Sequence, residues 1–127
     1  MQIHKTLFAI TAMLVSSQAA ALNPEGFEVV NTGHLVELCS VSADDPLYNA
    51  AMGFCLGYMD AAMDYHQALT AGDKYQPIAC PNMEITRKQL AAVLLDWSKA
   101  NAAYLGNETP VHGVMRAAAA KWPCPAK

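Results

Sequence analysis

The 127-residue sequence lacks the short motifs that mark many hydrolases, metalloenzymes and nucleotide-binding proteins. It has no G-x-S-x-G nucleophile elbow, no H-E-x-x-H zinc motif and no glycine-rich phosphate loop. It also has no C-x-x-C pair and no clustered histidines, so a zinc site or a redox-active dithiol is not expected. These absences argue against an enzyme and against a bound metal or cofactor.

Charged residues and long apolar runs are scarce as well. Only 15% of the residues are charged, and the net charge is −3. A mildly acidic chain has no electrostatic attraction for nucleic acid or anionic lipid, so neither is an expected partner. The apolar stretch at residues 7–15 is shorter than the roughly 20 residues that a helix needs to cross a bilayer.

This N-terminal stretch has the features of a cleavable signal peptide. Lys5 precedes it, and Ala19 and Ala21 follow it in the A-x-A arrangement of a cleavage site. An uncleaved anchor is the alternative. We expect residues 1–21 to be removed, so that residues 22–127 form one domain in the periplasm, with no membrane span in the mature chain.

The rest of the chain is predicted to be all-α, because alanine and methionine are abundant and β-branched runs are scarce. We expect a small irregular four-helix bundle braced by two disulfides. Capping residues, prolines and glycines set the expected helices: residues 32–40; from Asp45-Pro46 to Gly72; from the Thr86–Gln89 capping box to about Asn101; and from Thr109-Pro110 to Pro123.

The second helix has two apolar features at helical spacing. One stripe is expected to face the core, and it consists of Leu47, Ala51, Phe54, Tyr58, Ala62, Tyr65 and Leu69. The other is a smooth ridge of Gly53, Gly57 and Ala61. Since each glycine costs up to about 1 kcal/mol relative to alanine, we expect a close helix contact on this ridge, either within the monomer or across a dimer.

Four cysteines in a short exported chain predict a disulfide framework with three possible connectivities. Cys80 precedes the third helix and Cys124 follows the fourth. If these helices are antiparallel neighbours, the two ends meet, so Cys80–Cys124 is the preferred pair. Cys39 and Cys55 then join the first helix to the second.

The ionisable residues suggest no persuasive catalytic group. Asp60 and Asp64 share a helix face at i, i+4 and could act as an acid–base pair, but a solvated face is the simpler interpretation. His66 and His112 are each expected to be structural or exposed. A secreted hydrolase is therefore disfavoured.

An ordered set of residues nevertheless carries a family resemblance. The set comprises Leu38-Cys39; Phe54-Cys55-Leu56-Gly57-Tyr58 with Asp60 and Ala61; Cys80-Pro81; the Thr86–Gln89 capping box with Leu90; Met115-Arg116-Ala117-Ala118; and Trp122-Pro123-Cys124. With the signal peptide, it resembles the Rap/Tai family of type VI secretion amidase immunity proteins (the Rap1a/Tai-like domain) over residues 35–124.

The resemblance implies a helical periplasmic protein, often a homodimer, that binds a peptidoglycan amidase effector and blocks its active-site cleft. Because inhibitory contacts vary within the family, no motif residue is assigned to them. We expect the partner to contact the exposed loop at residues 101–109, at Asn107 and Glu108 first.

Two alternatives remain open. One is a small periplasmic acid-stress chaperone, in which low pH neutralises carboxylates such as Asp60 and Asp64, loosens a dimer and exposes apolar surface. Export, small size and abundant methionine are all compatible with it. The other is a binding module with a different role.

Overall fold

The structure, a computed structural model, describes Leu22 and residues 24–126. The predicted signal peptide lies outside the described residues. A 3-10 turn at Pro24–Phe27 precedes five helices: α1 Thr32–Cys39, α2 Tyr48–Thr70, α3 Arg87–Ala100, α4 Ala102–Leu105 and α5 Pro110–Lys121. No strand occurs among the described residues. The all-α prediction is confirmed, with four substantial helices and α4 as a single additional turn.

Local capping explains where several helices begin. The Thr86–Gln89 capping box is present: Gln89 N–H donates to Thr86 Oγ1 at 3.2 Å, and Thr86 N–H donates to Gln89 Oε1 at 2.7 Å. Pro110 takes the first position of α5. The start predicted for α2 is wrong by two residues, because Asp45 Oδ1 accepts the Leu47 N–H at 2.8 Å and closes a turn ahead of the helix.

Helix α1 lies between α2, α3 and α5 and supplies the centre of the core. Its Leu35 and Leu38 are fully buried, as are Met59 of α2 and Leu94 of α3. The short α1 therefore owes its stability to the apolar surface packed around it, since an isolated helix of this length is not stable in water.

The predicted core face of α2 is partly wrong. The buried residues of this helix are Ala51, Cys55, Met59 and Ala62. Three residues expected in the core are instead exposed: Phe54, Tyr65 and Leu69. The glycine ridge is exposed too, and nothing lies within 4 Å of a Cβ built at Gly53 or Gly57, so a close contact there within the monomer is ruled out.

Both disulfides of the expected brace are present. Cys39–Cys55 joins the end of α1 to α2, and Cys80–Cys124 joins the segment before α3 to the residues after α5. The Cys80 N–H also donates to the Trp122 carbonyl oxygen at 2.8 Å, so backbone and disulfide hold the same two segments together.

Candidate partner-binding site

The segment predicted to contact a partner includes α4 and the turn that leads into α5. Asn107 is exposed, and its side-chain amide donates to the Ala103 carbonyl at 3.3 Å. Glu108 is mostly shielded and is bound to Arg116: Nε donates to both carboxylate oxygens at 2.9 and 2.7 Å, and Nη2 lies 2.7 Å from Oε1. Of the two predicted contact residues, Asn107 is therefore the more accessible to a partner.

Arg116 connects this turn to two aromatic side chains. Its guanidinium lies 4.6 Å from the Tyr104 ring centroid, and the Tyr104 ring lies 5.8 Å from that of Trp97. Arginine and aromatic residues of this kind often contribute most of the affinity of an interface. The expected contact segment includes Tyr104, but nothing in the sequence singled it out or associated it with Arg116, because only the fold brings the two side chains together.

The ion pair shifts the ionisation of both partners. The hydrogen bonds from Arg116 hold the pKa of the Glu108 carboxyl below its usual value, and those same bonds raise the pKa of Arg116. A carboxyl whose pKa is lowered by folding stabilises the native state above its unfolded pKa. This contribution is lost as the pH falls through the lower, folded pKa.

We predict that Arg116→Gln raises the pKa of Glu108 towards the ordinary value of about 4.3. The reason is that glutamine removes the positive charge and the forked donor group that favour the carboxylate. A carbon-detected NMR titration of Glu108 in both proteins measures the change. An unchanged pKa would show that Arg116 does not determine the ionisation of Glu108.

The backbone of the same turn has a structural role. The Glu108 carbonyl accepts the Thr32 N–H at 2.9 Å, and the Thr32 hydroxyl donates to the Thr109 carbonyl at 3.0 Å. Thr32 is fully buried, and Gly113 of α5 lies against its side chain. The turn is thus anchored to the start of α1, and a partner would meet a preformed surface there.

The residues considered for catalysis do not form one group. Asp60 pairs with Arg87 at 2.8 Å, and His66 Nε2 accepts the Ile78 N–H at 3.0 Å, while Asp64 and His112 are exposed. In the part of the chain that the structure describes, no three His, Cys, Asp or Glu residues are grouped as they would be around a metal ion.

Two concave surfaces lie elsewhere. An open groove between α3 and α5 has a volume of about 620 Å³, with Trp97, Lys99 and Lys121 among its lining residues. A smaller apolar cavity of about 150 Å³ is lined in part by Ala79 and Pro81, the two neighbours of Cys80 in the sequence, and by Met63, His66, Met115 and Trp122. Over the described residues, no helix has the length and apolar character that crossing a membrane requires.

Comparison with known protein families gives a match. A protein-family model described as Rap1a immunity proteins matches residues 31–124, a range that includes all four cysteines and both disulfides. The comparison with curated proteins and the comparison with solved structures find no match. The family resemblance noted in the sequence is thereby confirmed. The match extends over well more than half of the chain, which therefore belongs to the family of Rap1a immunity proteins.

Proposed function

We propose that this protein is a periplasmic immunity protein that binds and inhibits a peptidoglycan amidase effector of a type VI secretion system. The family match over residues 31–124 carries the proposal. It makes an effector protein the expected partner, and the amidase class and the periplasm are our extension of it. The protein needs no catalytic group for this role, because a bound inhibitor excludes substrate by occupying the active-site cleft.

The physical character of the fold supports inhibition by binding. Both disulfides and the anchored 101–109 segment restrain the free protein. A surface that is ordered before binding loses little conformational entropy on association, so more of its contact energy appears as affinity. Asn107 remains a proposed contact residue, and Glu108 would contribute through its ion pair with Arg116, which orients the neighbouring Tyr104 surface.

Periplasmic export is proposed from residues 1–21, and the disulfides are compatible with it because such bonds persist in oxidising compartments. The intact mass of the protein recovered from a periplasmic extract tests this point. We expect a mature chain that begins at Leu22 and contains two disulfides. An uncleaved chain, or one found only in the cytoplasm, would contradict export.

We also propose a homodimer. The exposed ridge of Gly53, Gly57 and Ala61, with the exposed Phe54 ring beside it, leaves room for a helix from a second copy. Light scattering coupled to size-exclusion chromatography measures the mass directly. A monomer mass at micromolar concentration would remove this part of the proposal without affecting inhibition.

The central experiment is a protection assay. Each peptidoglycan amidase encoded by the same genome is exported to the periplasm of a host cell, with and without this protein. We expect one amidase to cause lysis that the exported protein prevents. A version without residues 1–21, retained in the cytoplasm, should not protect and serves as the control. Failure to protect against every such amidase would contradict the proposed function.

A further inference from the structure

Large apolar side chains are exposed in one part of the described chain more than elsewhere. Five of them lie at the end of α2 and in the connection to α3, and we call this set the α2–α3 surface: Tyr65, Leu69, Tyr75, Ile78 and Met83. The other three, Val30, Phe54 and Tyr104, are scattered through the sequence. The hydrogen bond from the Ile78 N–H to His66 holds the connection against the end of α2. Exposed apolar groups that lie together in this way are unfavourable in water and are typical of interaction sites.

The connection from α2 to α3 is held in place although none of it is helical. His66 on α2 accepts the backbone N–H of Ile78 at 3.0 Å. Two residues later, Cys80 is bonded to Cys124 and donates its N–H to the Trp122 carbonyl. Ile78 is therefore fixed between two anchors, with 53% of its surface exposed.

The 150 Å³ cavity adjoins this surface. Its lining includes His66, which bonds to Ile78, and Ala79, Pro81 and Ile85 from the connection, so the cavity and Ile78 share the same segment of the chain. Flexible Met63 and Met115 side chains also line it, and methionine adapts readily to the shape of an inserted group. The volume suits one apolar side chain of a partner.

Acidic residues occur in the same part of the sequence as the α2–α3 surface. Asp64, Asp73 and Glu84 are exposed and lie within two residues of Tyr65, Tyr75 and Met83, respectively. Lys74 is the only lysine or arginine between residues 64 and 84, and its ammonium lies 5.2 Å from the Tyr75 ring centroid. Arg87 and Lys88 follow at the start of α3, where Arg87 is paired with Asp60. Exposed carboxylates in the same segment as exposed apolar residues favour a partner with a positively charged surface.

We propose that the α2–α3 surface is a docking site for the effector, and that the effector presents a basic surface with one apolar side chain for the cavity. This inference rests on the proposed function and adds a surface that the sequence did not indicate. The 101–109 segment and Cys124 lie at opposite ends of α5, about 18 Å apart along the 12-residue helix. The two candidate contacts can therefore be tested separately.

The direct test compares Ile78→Asp with Val30→Asp, using the purified amidase against which the wild-type protein protects. Both substitutions place a carboxylate at an exposed aliphatic residue, and the backbone bond from Ile78 to His66 does not involve the side chain. We expect Ile78→Asp to raise Kd at least about tenfold, the loss typical of a central interface residue. Val30→Asp should bind like the wild type.

A second variant tests the charge requirement. Replacing Asp64, Asp73 and Glu84 by Asn, Asn and Gln preserves size and removes three negative charges. We expect the association rate at low salt to fall several-fold, with little change at high salt, because screening already removes long-range attraction there. The matched control removes three exposed carboxylates outside this surface, by replacing Glu25, Glu37 and Asp44 with Gln, Gln and Asn. Circular dichroism confirms that each variant is folded.

The outcomes separate the two proposals. If the wild-type protein binds and inhibits the amidase while Ile78→Asp and the triple variant bind equally well, the docking site is wrong and the proposed function stands. If the wild-type protein binds no amidase, both proposals are wrong. Weak binding by Ile78→Asp with normal binding by Val30→Asp supports the docking site.

Discussion

Replacement of both Cys80 and Cys124 by serine is expected to lower the free energy of unfolding by about 4 kcal/mol. The bond joins residues separated by 44 positions, so its removal releases a long loop in the unfolded chain. In the native state it also frees the connection before α3 from the end of α5. Urea unfolding followed by circular dichroism, with the oxidised wild-type protein as reference, measures the effect.

Replacement of Cys39 and Cys55 by serine is the matched control for this prediction. That bond joins residues separated by only 16 positions in the sequence. The same chain-entropy argument therefore gives a smaller decrease in the free energy of unfolding, about 3 kcal/mol. If the α2–α3 surface holds the effector, the Cys80/Cys124 variant should also lose more affinity than the Cys39/Cys55 variant. Equal unfolding free energies for wild type and the Cys80/Cys124 variant would show that the remaining contacts hold the segment.

Gly113→Ala is the second substitution with a large expected effect, a loss of about 3 kcal/mol, at the upper end of the range for overpacked cores. A Cβ at this position would overlap the side chain of Thr32, and even the Thr32 Cβ would lie only 2.8 Å away. Thr32 has no room to move, because it is fully buried and bonded to the Glu108 and Thr109 carbonyls.

The control for Gly113→Ala is Gly53→Ala on α2. Alanine usually stabilises the interior of a helix relative to glycine by about 0.5–1 kcal/mol. Within one protomer a Cβ at Gly53 meets nothing within 4 Å, so both variants are compared at a concentration at which the protein is monomeric. We therefore expect the change from glycine to alanine to lower the free energy of unfolding at Gly113 and to raise it at Gly53. If Gly113→Ala leaves the free energy of unfolding unchanged, α1 and α5 can move apart with little loss of stability. The 101–109 segment would then be less firmly anchored than the contacts indicate.

The features predicted correctly depend on short-range chemistry. The Thr86–Gln89 capping box and Pro110 act on neighbouring backbone groups, so their spacing alone indicates where α3 and α5 begin. The predicted cysteine pairing also required the assumption that the last two long helices are antiparallel neighbours. This assumption was correct because the connection between those helices is short.

The orientation of α2 was the main error. Two apolar stripes run along this helix, and periodicity does not distinguish the stripe through Phe54 and Tyr65 from the one through Cys55 and Met59. The Cys39–Cys55 pair, which was already expected from the sequence, distinguishes them, because Cys55 must face α1. The predicted core stripe was not consistent with that pair. The same rotation leaves Tyr65 and Leu69 exposed, and these two residues begin the α2–α3 surface.

The sequence by itself determined the family, the helical class, the disulfide framework and the caps, because each depends on residue identity and local spacing. Only the tertiary structure decided which surfaces remain open. In the folded protein Glu108 pairs with Arg116, Gly113 packs against Thr32, and Ile78 is exposed near a cavity. The physical reason is that exposure depends on contacts between distant segments, and local spacing carries no information about how those segments are packed.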